Sequence, residues 1–112
     1  MIVHVAYEVS DLARSARFYD AIFYSLGSRR MFESDGAIAY GRDHEQFWIV
    51  ARGRRPAPGY GHVALAAAGR AAVNGGADDG APGPRPQYGM RYYAAYLLDP
   101  DGLRVELATG AF

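Results

Sequence analysis

Apolar and polar residues alternate over residues 2–9, with Val3, Val5, Tyr7 and Val9 on one side and His4, Ala6 and Glu8 on the other. A period of two predicts a strand with one packed face. The period then changes. Leu12, Ala16, Tyr19, Phe23 and Leu26 recur at three- and four-residue steps, which predicts an amphipathic helix opened by the side-chain oxygen of Ser10 and stopped at Gly27. Three short strands are expected next, over residues 28–32, 37–40 and 46–50, separated by Ser34-Asp35-Gly36 and Gly41-Arg42-Asp43. The order so far is βαβββ.

The pattern then breaks and starts again. In the segment ARGRRPAPGYG the prolines and glycines interrupt any regular period, and its arginines read as a solvated crossover or as a grip for an anion. His62, Ala64 and Ala66 then alternate with Val63 and Leu65 in a new strand, and residues 70–74 supply about one turn of helix. A stretch rich in glycine and proline, GGADDGAPGPRPQYG, contains the poorest strand signal and leads to strands over residues 92–98 and 103–108 around the turn Asp99-Pro100-Asp101-Gly102. The second half is a βαβββ unit with a shortened helix. The expected fold class is therefore α+β, with two paired βαβββ modules forming a cupped, barrel-like mixed sheet. Module one spans about residues 1–51, a linker about 52–61, and module two about 62–112.

The composition narrows the chemistry. Twelve basic and twelve acidic side chains give zero formal charge, so nothing pulls the chain toward nucleic acid or an anionic membrane. Cysteine is absent, which leaves His, Asp and Glu as possible metal ligands. No apolar run approaches the length of a membrane span, and the first residues lack the pattern of a secretion signal. A soluble, cytoplasmic protein with a small-molecule substrate is expected. Serine and threonine are too isolated for a nucleophile triad, and no glycine loop has the lysine and following helix that bind phosphate.

The tripeptide His-Val-Ala opens the first strand of each half, as His4-Val5-Ala6 and His62-Val63-Ala64. Both histidines fall opposite the large apolar side chains, on the face turned away from the helices. On the last strand Val105 and Leu107 take the packed face, so Arg104, Glu106 and Ala108 share the histidines' face. Two imidazoles and one carboxylate on three strands form a facial set that leaves coordination positions open. Read singly, each of the three is equally an ordinary hydrogen-bonded or charged edge residue. His44 sits in a turn and has no counterpart in the other half.

At these residues the chain resembles the vicinal oxygen chelate superfamily, which includes glyoxalase I, fosfomycin- and bleomycin-resistance proteins and extradiol dioxygenases. The resemblance rests on HVAYEVSDLARSARFYDAIFYSLG at the start and YYAAYLLDPDGLRVEL at the end. It implies a divalent metal ion (Zn, Ni, Mn or Fe) held by His4, His62 and Glu106, a substrate chelating through neighbouring oxygens, a homodimer, and Glu106 and Tyr96 as catalytic residues. Trp48, Tyr93 and Arg104 are the candidates for substrate binding; Trp48 reads either as an apolar wall of the cavity or as core filling. Two departures stand out. Face matching sets Trp48 where glyoxalase I has its further ligand, and the acid/base histidine of the dioxygenases has no counterpart among Gln87, Tyr88 and Gly89. The resemblance thus implies a metal-dependent lyase, isomerase or dioxygenase, or a metal-free small-molecule binding protein of the bleomycin-resistance type, or a dimeric domain without chemistry.

Overall fold

The computed structural model describes residues 1–57, 59, 61–68, 80–84 and 93–110, the side chains of 80–82 and 93 excepted. The chain divides into two compact units, Met1–Ala57 and Pro58–Phe112. Each carries its own four-stranded mixed sheet, and the two sheets have the same connectivity.

In the first unit, β1 (Val5–Val9) leads to α1 (Leu12–Ser25), then to β2 (Arg29–Glu33), β3 (Ala37–Gly41) and β4 (Phe47–Ala51). The strand order is β1-β4-β3-β2, with β1 parallel to β4 and the other pairs antiparallel. The helix begins one residue later than Ser10 suggests. Asp11 is the cap, its carboxylate accepting from the Arg14 amide at 3.0 Å, while the Ser10 hydroxyl accepts from the Arg14 guanidinium. The helix stops where Gly27 takes φ of 78°, a left-handed backbone that costs a residue without a β-carbon little.

One face of this sheet packs under α1. Tyr19 and Phe23 of the helix meet Tyr40 and Phe47 of the sheet, Phe23 stacking on Tyr40 at 4.7 Å between ring centres and Tyr19 lying 5.1 Å from Phe47. Tyr19, Tyr40 and Ile49 are wholly buried and Phe47 nearly so. Asp20 ties helix to sheet, accepting two bonds from the Arg30 guanidinium at 2.7 and 2.8 Å and one from the Tyr40 hydroxyl at 2.8 Å. Burial alone would raise the Asp20 carboxyl, but Arg30 and Tyr40 more than offset it and hold the group below the ordinary carboxylate range. The Tyr40 hydroxyl, buried and bonded to that carboxylate, is pushed well above its usual range.

Two expectations change at the ends of this unit. The ladder begins at Val5 rather than at Ile2, and Met1, Ile2 and Val3 are exposed. The arginines after β4 are not all free solvated charges either. Arg54 forms a two-bond ion pair with Glu8 at 2.7 and 2.9 Å, folding the chain back beside β1. This contact lowers the Glu8 carboxyl below its ordinary value.

In the second unit, β5 (His62–Ala66), β6 (Gly80–Pro84), β7 (Tyr93–Leu98) and β8 (Arg104–Thr109) form a sheet in the order β5-β8-β7-β6. Here too the first strand runs parallel to the last, and the other pairs are antiparallel. The poor strand signal in the glycine- and proline-rich stretch is β6. The short helix expected over residues 70–74 lies outside the described residues. Along β8 both faces are buried: Val105 and Leu107 on one, Glu106 and Ala108 on the other. The α+β class and the repeated module are as expected, built as two separate hydrogen-bonded sheets rather than one closed barrel.

Candidate functional site

The turn between β7 and β8 sets the register on which the site depends. The Asp99 carboxylate, 4% exposed, accepts from the amides of Asp101 and Leu103 at 2.8 Å each. Gly102 completes the turn with φ of 83°. These bonds lock Tyr96 opposite Glu106 and Leu97 opposite Val105. Proline and glycine were the visible signals of this turn in the sequence, and Asp99 is what satisfies its amides.

His62 stands at the start of β5, whose parallel pairing to β8 sets Ala64 beside Glu106. The His62 ring reaches along the same face, bringing Nε2 to 3.1 Å from Oε1 of Glu106. The two side chains differ greatly in exposure, 43% for His62 and 3% for Glu106. A carboxylate removed from water to that degree needs a bonded or coordinating partner, and His62 supplies one on the open side. Tyr96 is the third member, its ring set edge-on to the imidazole at 5.7 Å. Arg104, cross-strand from His62, is exposed at the rim. The backbone of Tyr93 pairs with Pro84 and Thr109, and its side chain lies outside the described residues.

The first sheet repeats this layout with other side chains. Val5 pairs with Phe47 and Ala6 with Trp48, so Trp48 occupies in sheet one the register position that Glu106 occupies in sheet two. The face matching made from sequence is thus correct. His4 lies against Trp48, ring centres 6.1 Å apart, as His62 lies against Glu106. Continuing across the strands, sheet one carries the row Ala6, Trp48, Ala39 and Phe32. Sheet two carries Ala64, Glu106, Tyr96 and Gly80 at the matching positions. Phe32, which the sequence pattern does not single out, reaches this row through an irregularity. Arg30 faces Tyr40 and Phe32 faces Ala39, so Met31 is an extra residue on β2. Such a bulge turns the following side chain to the other face, and it sets Phe32 beside Trp48 at 5.2 Å.

The donor chemistry of the second sheet fits a divalent ion. Two ligands bound side by side at about 2.1 Å from an ion lie roughly 3.0 Å apart at a right angle and roughly 3.4 Å apart in a tetrahedron, and the 3.1 Å between Nε2 of His62 and Oε1 of Glu106, the length of a direct ion pair, falls within that span. Imidazole with carboxylate is a set that zinc, nickel, manganese and iron all accept. Among the described residues, no group of three or more His, Asp and Glu is gathered as a metal-holding cluster. His4, the remaining sequence candidate, belongs to the first unit.

No family model matches the chain, and no curated protein sequence matches it. Solved structures do. A glyoxalase/bleomycin resistance protein from Albidiferax ferrireducens is 25% identical, with 96% of this chain and 97% of that one covered and a TM-score of 0.83. The fosfomycin resistance protein FosX from Mesorhizobium loti is 22% identical over 100% of this chain and 93% of its own, with a TM-score of 0.68. A bleomycin-binding protein in complex with bleomycin is 19% identical over 99% of each chain, also with a TM-score of 0.68. This chain has the fold of the glyoxalase and antibiotic-resistance proteins to which its sequence resemblance points.

Proposed function

We propose that the protein is a glyoxalase-like, divalent-metal-dependent enzyme, a lyase, isomerase or dioxygenase, acting on a small substrate that chelates the ion through neighbouring oxygens. The observation that carries the proposal is the His62–Glu106 pair, 3.1 Å apart on neighbouring strands with the carboxylate shielded from water. In this reading His62 and Glu106 hold the ion. The ion supplies Lewis-acid polarisation of a bound carbonyl or enediolate. Glu106 sits at the reacting oxygens to accept or return a proton. Tyr96, edge-on to His62, orients the imidazole and offers its hydroxyl to substrate. Arg104 at the rim and Tyr93 bind polar groups of the substrate. The proposal places the protein in the cytoplasm as a homodimer. No helix among the described residues is long and apolar enough to cross a membrane.

A second reading is favoured by the aromatic row of the first sheet: metal-free sequestration of a small molecule. The two readings separate on one variant. His62→Ala leaves ligand affinity unchanged under sequestration and abolishes ion binding and turnover under the metal reading. The metal content of protein purified without chelators is the direct test. About one equivalent of a divalent ion per chain is expected, and less than about a tenth of an equivalent after supplementation contradicts the proposal.

A further inference from the structure

Three arginines follow β4, at positions 52, 54 and 55, and the metal reading uses none of them. Two of them converge on one carboxylate. Arg54 donates from Nε and Nη2 to the two oxygens of Glu8 at 2.7 and 2.9 Å, and Nη1 of Arg52 stands 3.6 Å from Oε1. Between them Gly53 takes φ of 73°, a left-handed turn that only glycine adopts without strain, with open space where a β-carbon would stand. A guanidinium has two edges that grip an oxyanion with paired N–H bonds, one made by Nε with the adjacent Nη and one by the two Nη atoms. Glu8 occupies the first edge of Arg54. The second edge, with Nη1, has no bonded partner among the described residues, and the Arg54 side chain is 67% exposed. Arg52 is 63% exposed, and at 3.6 Å it is attracted to Glu8 without a hydrogen bond, so its donors are uncommitted as well. Arg55 is exposed and has no bond or ion pair among the described residues. Three guanidiniums against one carboxylate leave two positive charges in excess.

We propose that Arg52 and Arg54, braced by Glu8 and flanked by Arg55, form a binding site for a phosphate dianion, free or as the monoester of a small molecule. The site lies wholly within the first unit and is independent of the metal reading. Charge and shape both select phosphate over a carboxylate. A phosphate monoester is close to doubly charged at neutral pH, which matches the excess of two. Its tetrahedral oxygens fill the open edge of Arg54 and still present one to Arg52, whereas the two oxygens of a carboxylate are used up by a single fork. Glu8 contributes by orientation. A free arginine gives up rotamer freedom when it closes on a ligand, but Glu8 already holds Arg54 in one pose by two bonds.

Inorganic phosphate, ethyl phosphate and acetate, titrated into the chelator-treated full chain at one fixed low ionic strength and followed by amide chemical shifts, test this. Both phosphates are expected to shift the amides of residues 52–55 and to bind at least about tenfold more tightly than acetate. Arg52→Gln and Arg54→Gln are each expected to weaken phosphate roughly three- to tenfold, with the remaining amide spectrum unchanged. Arg54→Lys keeps the charge and loses the fork, and a similar loss is expected. Arg17→Gln removes an equal charge from an exposed arginine on α1 and should leave the affinity as it is. Acetate binding as tightly as phosphate, Arg54→Lys binding phosphate as well as wild type, or Arg17→Gln weakening it as much as Arg54→Gln would each overturn the site. Tighter binding of ethyl phosphate than of inorganic phosphate supports the site with an ester as its ligand, and equal binding supports it with free phosphate. Ion uptake at His62 and Glu106 is measured separately, so either result stands without the other.

Discussion

The two sheets run their strands in the same order and the same directions, yet at matching positions one presents Trp48 and Phe32 where the other presents Glu106 and Gly80. Register is a property of the backbone ladder and of its turns. It fixes which positions face which way and leaves the chemistry at those positions open. Each sheet sends a histidine to its matched position: His4 meets an indole, and His62 meets a shielded carboxylate. The same scaffold thus supplies an aromatic half and a polar half.

The comparison can be broken first at the packed faces. Phe47 in sheet one and Val105 in sheet two hold the same register position, paired with Val5 and Val63, and both are buried. Removing the larger side chain leaves the larger cavity, so Phe47→Ala should cost about 3–5 kcal/mol in urea unfolding and Val105→Ala about 2 kcal/mol. Equal costs would mean that the helix-covered face of sheet one is no better packed than its counterpart.

A smaller effect is expected at the tie between helix and sheet in unit one. Asp20→Asn keeps the shape and removes the charge that Arg30 and Tyr40 bind. A loss of about 1–2 kcal/mol at neutral pH is expected. Because the folded Asp20 carboxyl lies below its ordinary value, the stability it contributes is complete above the unfolded value and disappears as pH falls through the folded one. The gap between wild type and variant should therefore begin to narrow below about pH 4 and close only once pH has fallen through the lower folded value. A gap that persists at lower pH contradicts the assignment. The smallest effect belongs to Arg54→Ala. Its side chain is 67% exposed and its partner Glu8 is held by an ion pair in contact with water, so the unfolding midpoint should not move measurably.

Much of this was legible in the chain itself, because it follows from periodicity and punctuation. The change from alternation to three- and four-residue steps marks α1, Gly27 marks its end, and the repeated His-Val-Ala marks β1 and β5 as matched strands. The equivalence of Trp48 and Glu106 followed from face matching alone. What escaped the sequence is what depends on contacts distant along the chain or on irregular backbone. Arg54 reads as a solvated linker residue until β1 brings Glu8 beside it. Phe32 lies on the wrong alternation for the open face until Met31 is counted as an extra residue. Ser10 and Asp11 are both competent caps, and only the bond from the Arg14 amide distinguishes them. Asp99, by contrast, stood in plain view within Asp-Pro-Asp-Gly, but its role emerges only when its carboxylate is seen to collect two amides.

The polar half and the aromatic half are compared most directly by titrating zinc, nickel or manganese into chelator-stripped protein, with Glu106→Gln and Trp48→Leu as variants at the matched positions. The account predicts about one ion bound per wild-type chain, a loss of affinity of more than about a hundredfold in Glu106→Gln, and no change in Trp48→Leu. Wild-type protein that binds no ion, or Glu106→Gln protein that binds it as tightly as wild type, would contradict the assignment of the polar half as a metal site.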